Sequence, residues 1–249
     1  MDTREQTHAK EAASNGLPDL SGAAAAAADP LTVTKVEAAE ARLEQERARG
    51  LPAITKRALD LVVSVIALTL LAPLLALIAI VIKLDSPGPV IYRQARVGRG
   101  GVFEMLKFRT MSDGADELRE TLHHLNENDG ILFKSRRDPR ITRVGRLLRP
   151  AFLDELPQLF QVATGRMSLV GPRAMPPTMN AQIDQAYRER RLVVRPGITG
   201  EWQVDRTERR RSIQDMARMD VEYIRDWSLV GDLKILLKTV PYVATRHGV

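Results

Sequence analysis

The chain has 249 residues, with 37 Lys or Arg against 31 Asp or Glu, a formal charge of +6 and no cysteine. That length suits one globular domain of roughly 150 to 200 residues plus extensions. The missing cysteines exclude a disulfide framework, a cysteine nucleophile and a thiolate metal site, and are compatible with a cytosolic setting.

Only eight of the basic residues are lysines. An arginine excess suits bidentate recognition of phosphate or carboxylate, although a solvated surface helped by anionic lipid headgroups accounts for most of these side chains. Residues 1 to about 50 have no aromatics, an Ala23 to Ala28 tract and mixed charge. They are expected to form a disordered extension, with a helical tendency from Thr34 to Arg49. No charged start leads into a hydrophobic core and cleavage site, so the segment is not a signal peptide.

Leu61 to Ile82 follows as 22 uncharged residues, long enough to span a bilayer. Pro73 near its middle removes a helical hydrogen bond and predicts a break. The arms on either side reach only about 18 and 14 Å, roughly half the hydrocarbon core. Arg49, Lys56 and Arg57 precede the block and Lys83, Arg93 and Arg96 follow it, so both ends read as cytoplasmic. A Pro-kinked spanning helix is the alternative.

Ser86-Pro87-Gly88-Pro89 turns the chain back towards water. Val102 to Met111 reads as a strand, with Phe103, Met105, Lys107 and Arg109 on one side. Its two cations form either a phosphate clamp or a solvated edge. Arg140, Arg143, Arg146 and Arg149 then recur at every third residue with apolar residues between them. If that stretch is helical, they form a slowly winding row.

Phe152 to Arg173, FLDELPQLFQVATGRMSLVGPR, holds the adjacent acids Asp154 and Glu155. Asp154 is expected to cap a helix with Pro157 in its first turn, and Leu156, Leu159, Phe160 and Val162 to form the buried face. The positive end of a helix favours ionised carboxylates and accommodates phosphate, and two neighbouring acids point in different directions. Gly171-Pro172-Arg173 and Val194 to Gly200 are turns that either let backbone approach a ligand or simply pack. The four histidines, His8, His123, His124 and His247, show no zinc spacing and read as surface residues.

DSPGPVIYRQARVGRGGVFEMLKFRTM, DPRITRVGRLLRPAFLDELPQLFQ, MSLVGPR, VRPGITGEWQV and WSLVGDLKILLKTV resemble, in order, the blocks of the bacterial sugar transferases. These are monotopic polyprenyl-phosphate phosphoglycosyl transferases, and the resemblance covers roughly residues 55 to 245. It implies transfer of a sugar 1-phosphate from a UDP-sugar to undecaprenyl phosphate with release of UMP. Asp154 would be the nucleophile and form an acyl phosphate, and Glu155 would bind Mg²⁺. Lys107, Arg109, Arg149, Arg173 and Arg195 would bind substrate. The chain departs from the family with Ala72-Pro73 for Ser-Pro, Pro150-Ala151-Phe152 before the acids, Pro-Arg-Ala for Pro-Arg-Pro, and Glu201-Trp202-Gln203 for Trp-Ala-Gln.

The expected fold is α+β: a mostly helical cytosolic domain with a small sheet around Val90 to Met111, anchored by a re-entrant helix-break-helix. The divisions are 1–54, a disordered extension; 55–84, the membrane helix; and 85–249, the catalytic domain. Leu233 to Val243 is a further amphipathic segment. The enzyme would lie on the bacterial cytoplasmic membrane, facing the cytoplasm. A homodimer is compatible with the chain but rests on no residue. A silent scaffold of the same fold would have lost the acid pair or its cations, and a nucleic-acid binder finds no recognised motif and only 4% aromatics.

Overall fold

The computed structural model describes residues 51–112, 114–115, 138–205 and 212–244. The expectations for the N-terminal extension, including Thr34 to Arg49, and for the four histidines lie outside the described residues. The long apolar run forms α1, Leu51–Asp85, whose 35 residues continue through Pro73 without interruption of the helix. Among the described residues, α1 is the one helix long and apolar enough to cross a membrane.

The two sides of α1 have different surroundings. Asp60, Ser64, Ile78 and Ile82 are buried, and Ala67, Leu68, Leu71, Leu74 and Leu75 are partly so. Their three- and four-residue spacing makes one stripe that packs on the rest of the protein along the length of the helix. Leu61, Val62, Ile66, Leu70, Leu77 and Ile80 point the other way and are exposed. A bare apolar face of this extent marks an interaction surface.

Polar contacts fix both ends of α1 to the same domain. At its start, Arg57 donates to the carbonyls of Val162 and Ala163, and Asp60 accepts from the Leu169 amide at 3.1 Å. At its end, Asp85 accepts from the Val144 amide at 3.1 Å, and Arg109 donates to the Ser86 carbonyl at 2.7 Å.

Strand β1, Ile91–Gly98, and β2, Gly101–Phe108, form an antiparallel hairpin within the region where a small sheet was expected. The register sets Tyr92 opposite Lys107, Gln94 opposite Met105 and Arg96 opposite Phe103. Directly opposed residues share a face, so these six side chains lie on one side. Helix α2, Gly145–Leu148, replaces the longer helix that the arginine row allowed. Gly145 is obligatory there, because a Cβ would come within 2.1 Å of the Thr110 carbonyl oxygen.

Helix α3, Gln158–Ala163, follows the acid pair, and β3, Ser168–Val170, follows α3. Short helices α4, Pro177–Asn180, and α5, Gln185–Arg191, lead to β4, Gly197–Thr199, which pairs in parallel with β3. At the two Pro-Gly turns the backbones pack closely: a Cβ on Gly197 would lie 2.1 Å from the Gly171 nitrogen. Helices α6, Glu201–Val204, α7, Ile213–Arg225, and α8, Leu229–Ala244, complete the chain. Leu233, Leu237 and Val240 are exposed on α8, in the segment read as amphipathic.

The main core joins Met105, Leu159, Val162, Met167, Leu169, Val170 and Ile235 to the α1 stripe. A second cluster sets Ile78 and Ile82 of α1 against Phe108 and Leu148. Residues on both sides of Pro73 thus pack into this one domain.

Candidate active site

The acid pair sits in a 3₁₀ turn, Leu153–Glu155, reached through Phe152 in the left-handed region at φ 53°. This differs from the expected cap: Pro157, not Asp154, occupies the N-cap of α3. A non-glycine residue in the left-handed region costs about 1 kcal/mol or more. Phe152 is retained by its ring contact with Tyr242 of α8, centroids 5.6 Å apart. The resulting reversal presents Asp154 and Glu155 to the end of β2. Phe160, expected in the core, is 52% exposed, while Gln158 and Gln161 are buried on the inner face.

Gln161 explains how α3 and β2 hold their register. Its Oε1 accepts from the Leu106 amide at 2.9 Å, and its Nε2 donates to the Glu104 carbonyl at 2.6 Å. Lys107, the next residue of β2, then reaches Glu155, with Nζ 2.6 Å from Oε1. Arg173 Nη2 approaches the same oxygen at 3.8 Å. The Arg173 guanidinium also lies over the Trp202 ring, 5.7 Å from its centre, a cation–π distance.

The two acids have opposite electrostatic fates. Burial pushes Asp154 above the ordinary aspartate value of 3.8; Glu155 adds to the rise, while Lys107 and Arg149 oppose it. Burial also pushes Glu155 upward, but Lys107, Arg173 and Arg96 outweigh it and hold the carboxyl below the ordinary glutamate value of 4.5. Glu155 is therefore firmly ionised. Asp154 is the more basic of the two, and a more basic carboxylate oxygen, once ionised, is the better nucleophile.

Of the residues singled out in the sequence, Lys107, Arg149, Asp154, Glu155 and Arg173 come together. Arg109 does not: it is buried beyond the end of β2 and binds the carbonyl and hydroxyl of Ser86 at 2.7 and 3.0 Å. Arg195 also lies elsewhere, its Nε donating to the Gly165 carbonyl at 2.8 Å beyond the far end of α3.

Three residues here escaped the sequence reading. Arg96 lies on the Lys107 face of the hairpin, beside Arg173 and Glu155. Gln158 follows one turn after Asp154 and is 2% exposed. Arg191, 1% exposed, donates to Asp220, to Asn180 and, at 2.6 Å, to the Arg173 carbonyl. The Gly98-Arg99-Gly100-Gly101 turn was the available signal for Arg96, because a hairpin there aligns β1 with β2.

Arg96 Nε, Arg149 Nη1 and Gln158 Nε2 are buried donors without a protein partner. Such donors next to an acid pair suit an anionic ligand. The acids also suit a Mg²⁺ ion, which commonly takes one or two carboxylates and completes its shell with substrate phosphates and water. Lys107 and Arg173 both address Oε1 of Glu155. Among the described residues, no group of three or more His, Cys, Asp or Glu forms an all-protein metal cage.

The bacterial sugar transferase family model matches residues 51–246. A UDP-glucose:undecaprenyl-phosphate glucose-1-phosphate transferase of Caulobacter vibrioides is 43% identical over 206 residues, covering 78% of this chain and 72% of that protein. The exopolysaccharide production protein ExoY of Sinorhizobium fredii is 37% identical over 209 residues, covering 80% of this chain and 90% of that protein. The galactosyl transferase CpsE of Streptococcus agalactiae is 38% identical over 197 residues, 78% of this chain, but the match spans only 43% of that longer protein.

Proposed function

Because the chain belongs to the bacterial sugar transferase family, we propose that it transfers a sugar 1-phosphate from a UDP-sugar to undecaprenyl phosphate, releasing UMP. The observation that carries this reading is the pairing of a buried, more basic Asp154 with a Glu155 held by Lys107 and Arg173. Such a site offers a nucleophile and cations for phosphate in one place.

In the first step the Asp154 carboxylate attacks the phosphorus that carries the sugar. The bond from that phosphorus to the bridging oxygen breaks, and UMP leaves with the bonding pair. In the second, an oxygen of the lipid phosphate attacks the same phosphorus and the acyl-phosphate bond breaks, returning the carboxylate and giving a polyprenyl diphosphate sugar. Lys107, Arg149 and Arg173 hold the phosphate groups and offset their charge. Glu155 is the residue that would hold Mg²⁺, which when bound offsets phosphate charge as a Lewis acid.

The membrane arrangement is part of the proposal. Both ends of α1 are bonded to one domain and its outward face is apolar, although the helix runs through Pro73 without the expected break; this supports an anchor whose two ends stay on the cytoplasmic side. The site would then lie at headgroup level, where a lipid phosphate meets a soluble nucleotide. With no native cysteine, single cysteines at Arg49 and Gly100 test it: both should resist an impermeant thiol reagent applied from outside. Labelling of Arg49→Cys alone would give a spanning helix.

The chemical test is UMP release from a panel of UDP-sugars, with UDP-glucose and UDP-galactose first and N-acetylated hexosamines next. With UDP-sugar and Mg²⁺ but no lipid acceptor, one UMP per site should appear and the peptide containing Asp154 should gain a sugar-phosphate mass. No adduct under conditions that trap acyl phosphates would remove Asp154 as nucleophile.

A further inference from the structure

Arg96 is bonded differently from Arg191 and Arg140, and unlike Arg109, which also keeps Nε and Nη1 unpartnered, it lies beside the acid pair. Arg191 and Arg140 are each paired with a carboxylate, Asp220 and Asp138 respectively. Among the described residues, Arg96 has no carboxylate within ion-pair distance. Its Nη1 reaches the Ala174 carbonyl at 3.4 Å, its Nη2 donates to Gln94 Oε1, and its Nε is buried without a partner.

Its position is set by two elements. The β1–β2 register puts it on the face that carries Lys107. The bond between the Val97 amide and the Met175 carbonyl, 2.9 Å, brings β1 against the segment that carries Arg173. Two guanidinium groups therefore flank Glu155 together with Lys107. Among the described residues, Lys107, Arg96, Arg149 and Arg173 surround the two carboxylates of Asp154 and Glu155, a local excess of positive charge that suits an anionic ligand. Burial first, and then the neighbouring Arg173, pull the Arg96 pKa down to about 10, against the opposing pull of Glu155.

We infer that Arg96 is a substrate ligand, forming with Arg173 a two-guanidinium clamp for the diphosphate of the nucleotide sugar. The inference rests on the UDP-sugar reading above and adds a contact to it. Guanidinium forks match pairs of phosphate oxygens, and a diphosphate esterified at both ends carries a negative charge on each phosphate. Its entry would partner the buried Nε and separate the two like charges. A pure strut, tying β1 to Ala174, would have no reason to sit beside a second arginine.

The test uses the full chain in detergent or nanodiscs, with UDP as probe and uridine as the phosphate-free control. Arg96→Gln should raise the Kd for UDP by about tenfold or more, as expected for loss of a charged hydrogen bond, and raise KM for the UDP-sugar by a similar factor. The effect on kcat should be smaller. Uridine affinity should not change. Unliganded Tm should stay level or rise, because the like-charge repulsion is gone, while the Tm gain on adding UDP shrinks. Arg96→Lys, which keeps charge but not the fork, should fall between. Wild-type UDP affinity in Arg96→Gln would overturn the clamp while leaving the UDP-sugar reading intact. A fall in unliganded Tm with equal losses for UDP and uridine would make Arg96 a strut and overturn it too. A wild-type enzyme that neither binds UDP nor releases UMP would overturn both readings.

Discussion

The two ends of α3 use the same residue type for opposite purposes. At the C-terminal end, Arg57 donates to the Val162 and Ala163 carbonyls and Arg195 donates to that of Gly165. These are carbonyls of the last turn and just beyond it, groups that a helix end leaves without intrahelical partners. The guanidiniums satisfy them and tie α1 to α3. At the N-terminal end, Lys107, Arg149, Arg96 and Arg173 surround two acids, and donors on Arg96 and Arg149 stay unpartnered. A cation whose donors are consumed by backbone is architecture, whereas buried cations in excess of their carboxylates form a ligand site. Charge alone does not separate the two ends of α3; unpartnered donors beside the acids do, since Arg109 keeps Nε and Nη1 unpartnered away from them and is bound to Ser86.

The comparison is tested hardest at the acids. Asp154→Asn should lower turnover by about 10³-fold or more, because the amide keeps size but not the attacking charge. It should not lower stability at neutral pH. Asp154 has a raised pKa in the folded protein, so its stabilising contribution is present below the ordinary value of 3.8 and is lost as pH rises through the folded value. Melting curves of variant and wild type should thus diverge in the variant's favour as pH rises above 3.8. Glu155→Gln should show the reverse sign. The Glu155 pKa is lowered, so its contribution is present above 4.5 and lost as pH falls through the folded value. Its cost should be visible at pH 7 and shrink in acid. Matching pH trends for the two variants would break the assignment of different roles to neighbouring carboxylates.

Next in size is a site where a buried arginine does have its carboxylate. Arg191→Ala strands Asp220, 3% exposed, and frees the Arg173 carbonyl, at a cost of about 3–5 kcal/mol. Chemical denaturation should show this loss, larger than that of any single change among the site arginines. A loss no greater than that of Arg96→Gln would mean that pairing with a carboxylate does not divide structural from ligand arginines.

Legibility followed distance along the chain. Asp154 and Glu155 belong to one short motif, and Arg149 and Lys107 belong to neighbouring blocks in the family's order, so the residue types and their resemblance to that family brought them together. The conformation around the acids was not legible: nothing local predicts Phe152 in the left-handed region, and that geometry is maintained by Tyr242 from α8, ninety residues on. Arg109 read as a strand neighbour of Lys107, but β2 ends at Phe108 and the next side chain turns to the end of α1. Arg195 looked like a ligand residue in a Pro-Gly turn, and only the position of Gly165 made it a cap. In α1 the apolar run was plain, while its polar residues Asp60 and Ser64, four apart, mark a stripe whose direction needed the domain it packs on.

The smallest effect, and the sharpest check on the opening contrast, belongs to Arg57. Arg57→Ala removes both donations to the α3 carbonyls, but Asp60 still holds the Leu169 amide and Lys56 still pairs with Asp232. Losing hydrogen bonds from a half-buried guanidinium should cost about 1–2 kcal/mol, seen as a modest drop in Tm. Turnover per folded molecule and KM for the UDP-sugar should stay within about threefold of wild type, because α3 remains fixed to β2 by Gln161. If Arg57→Ala instead raised KM by tenfold with little change in Tm, the arginines at the C-terminal end of α3 would be reading substrate as well. The division between saturated and unsaturated ends would then fail where it looks most complete.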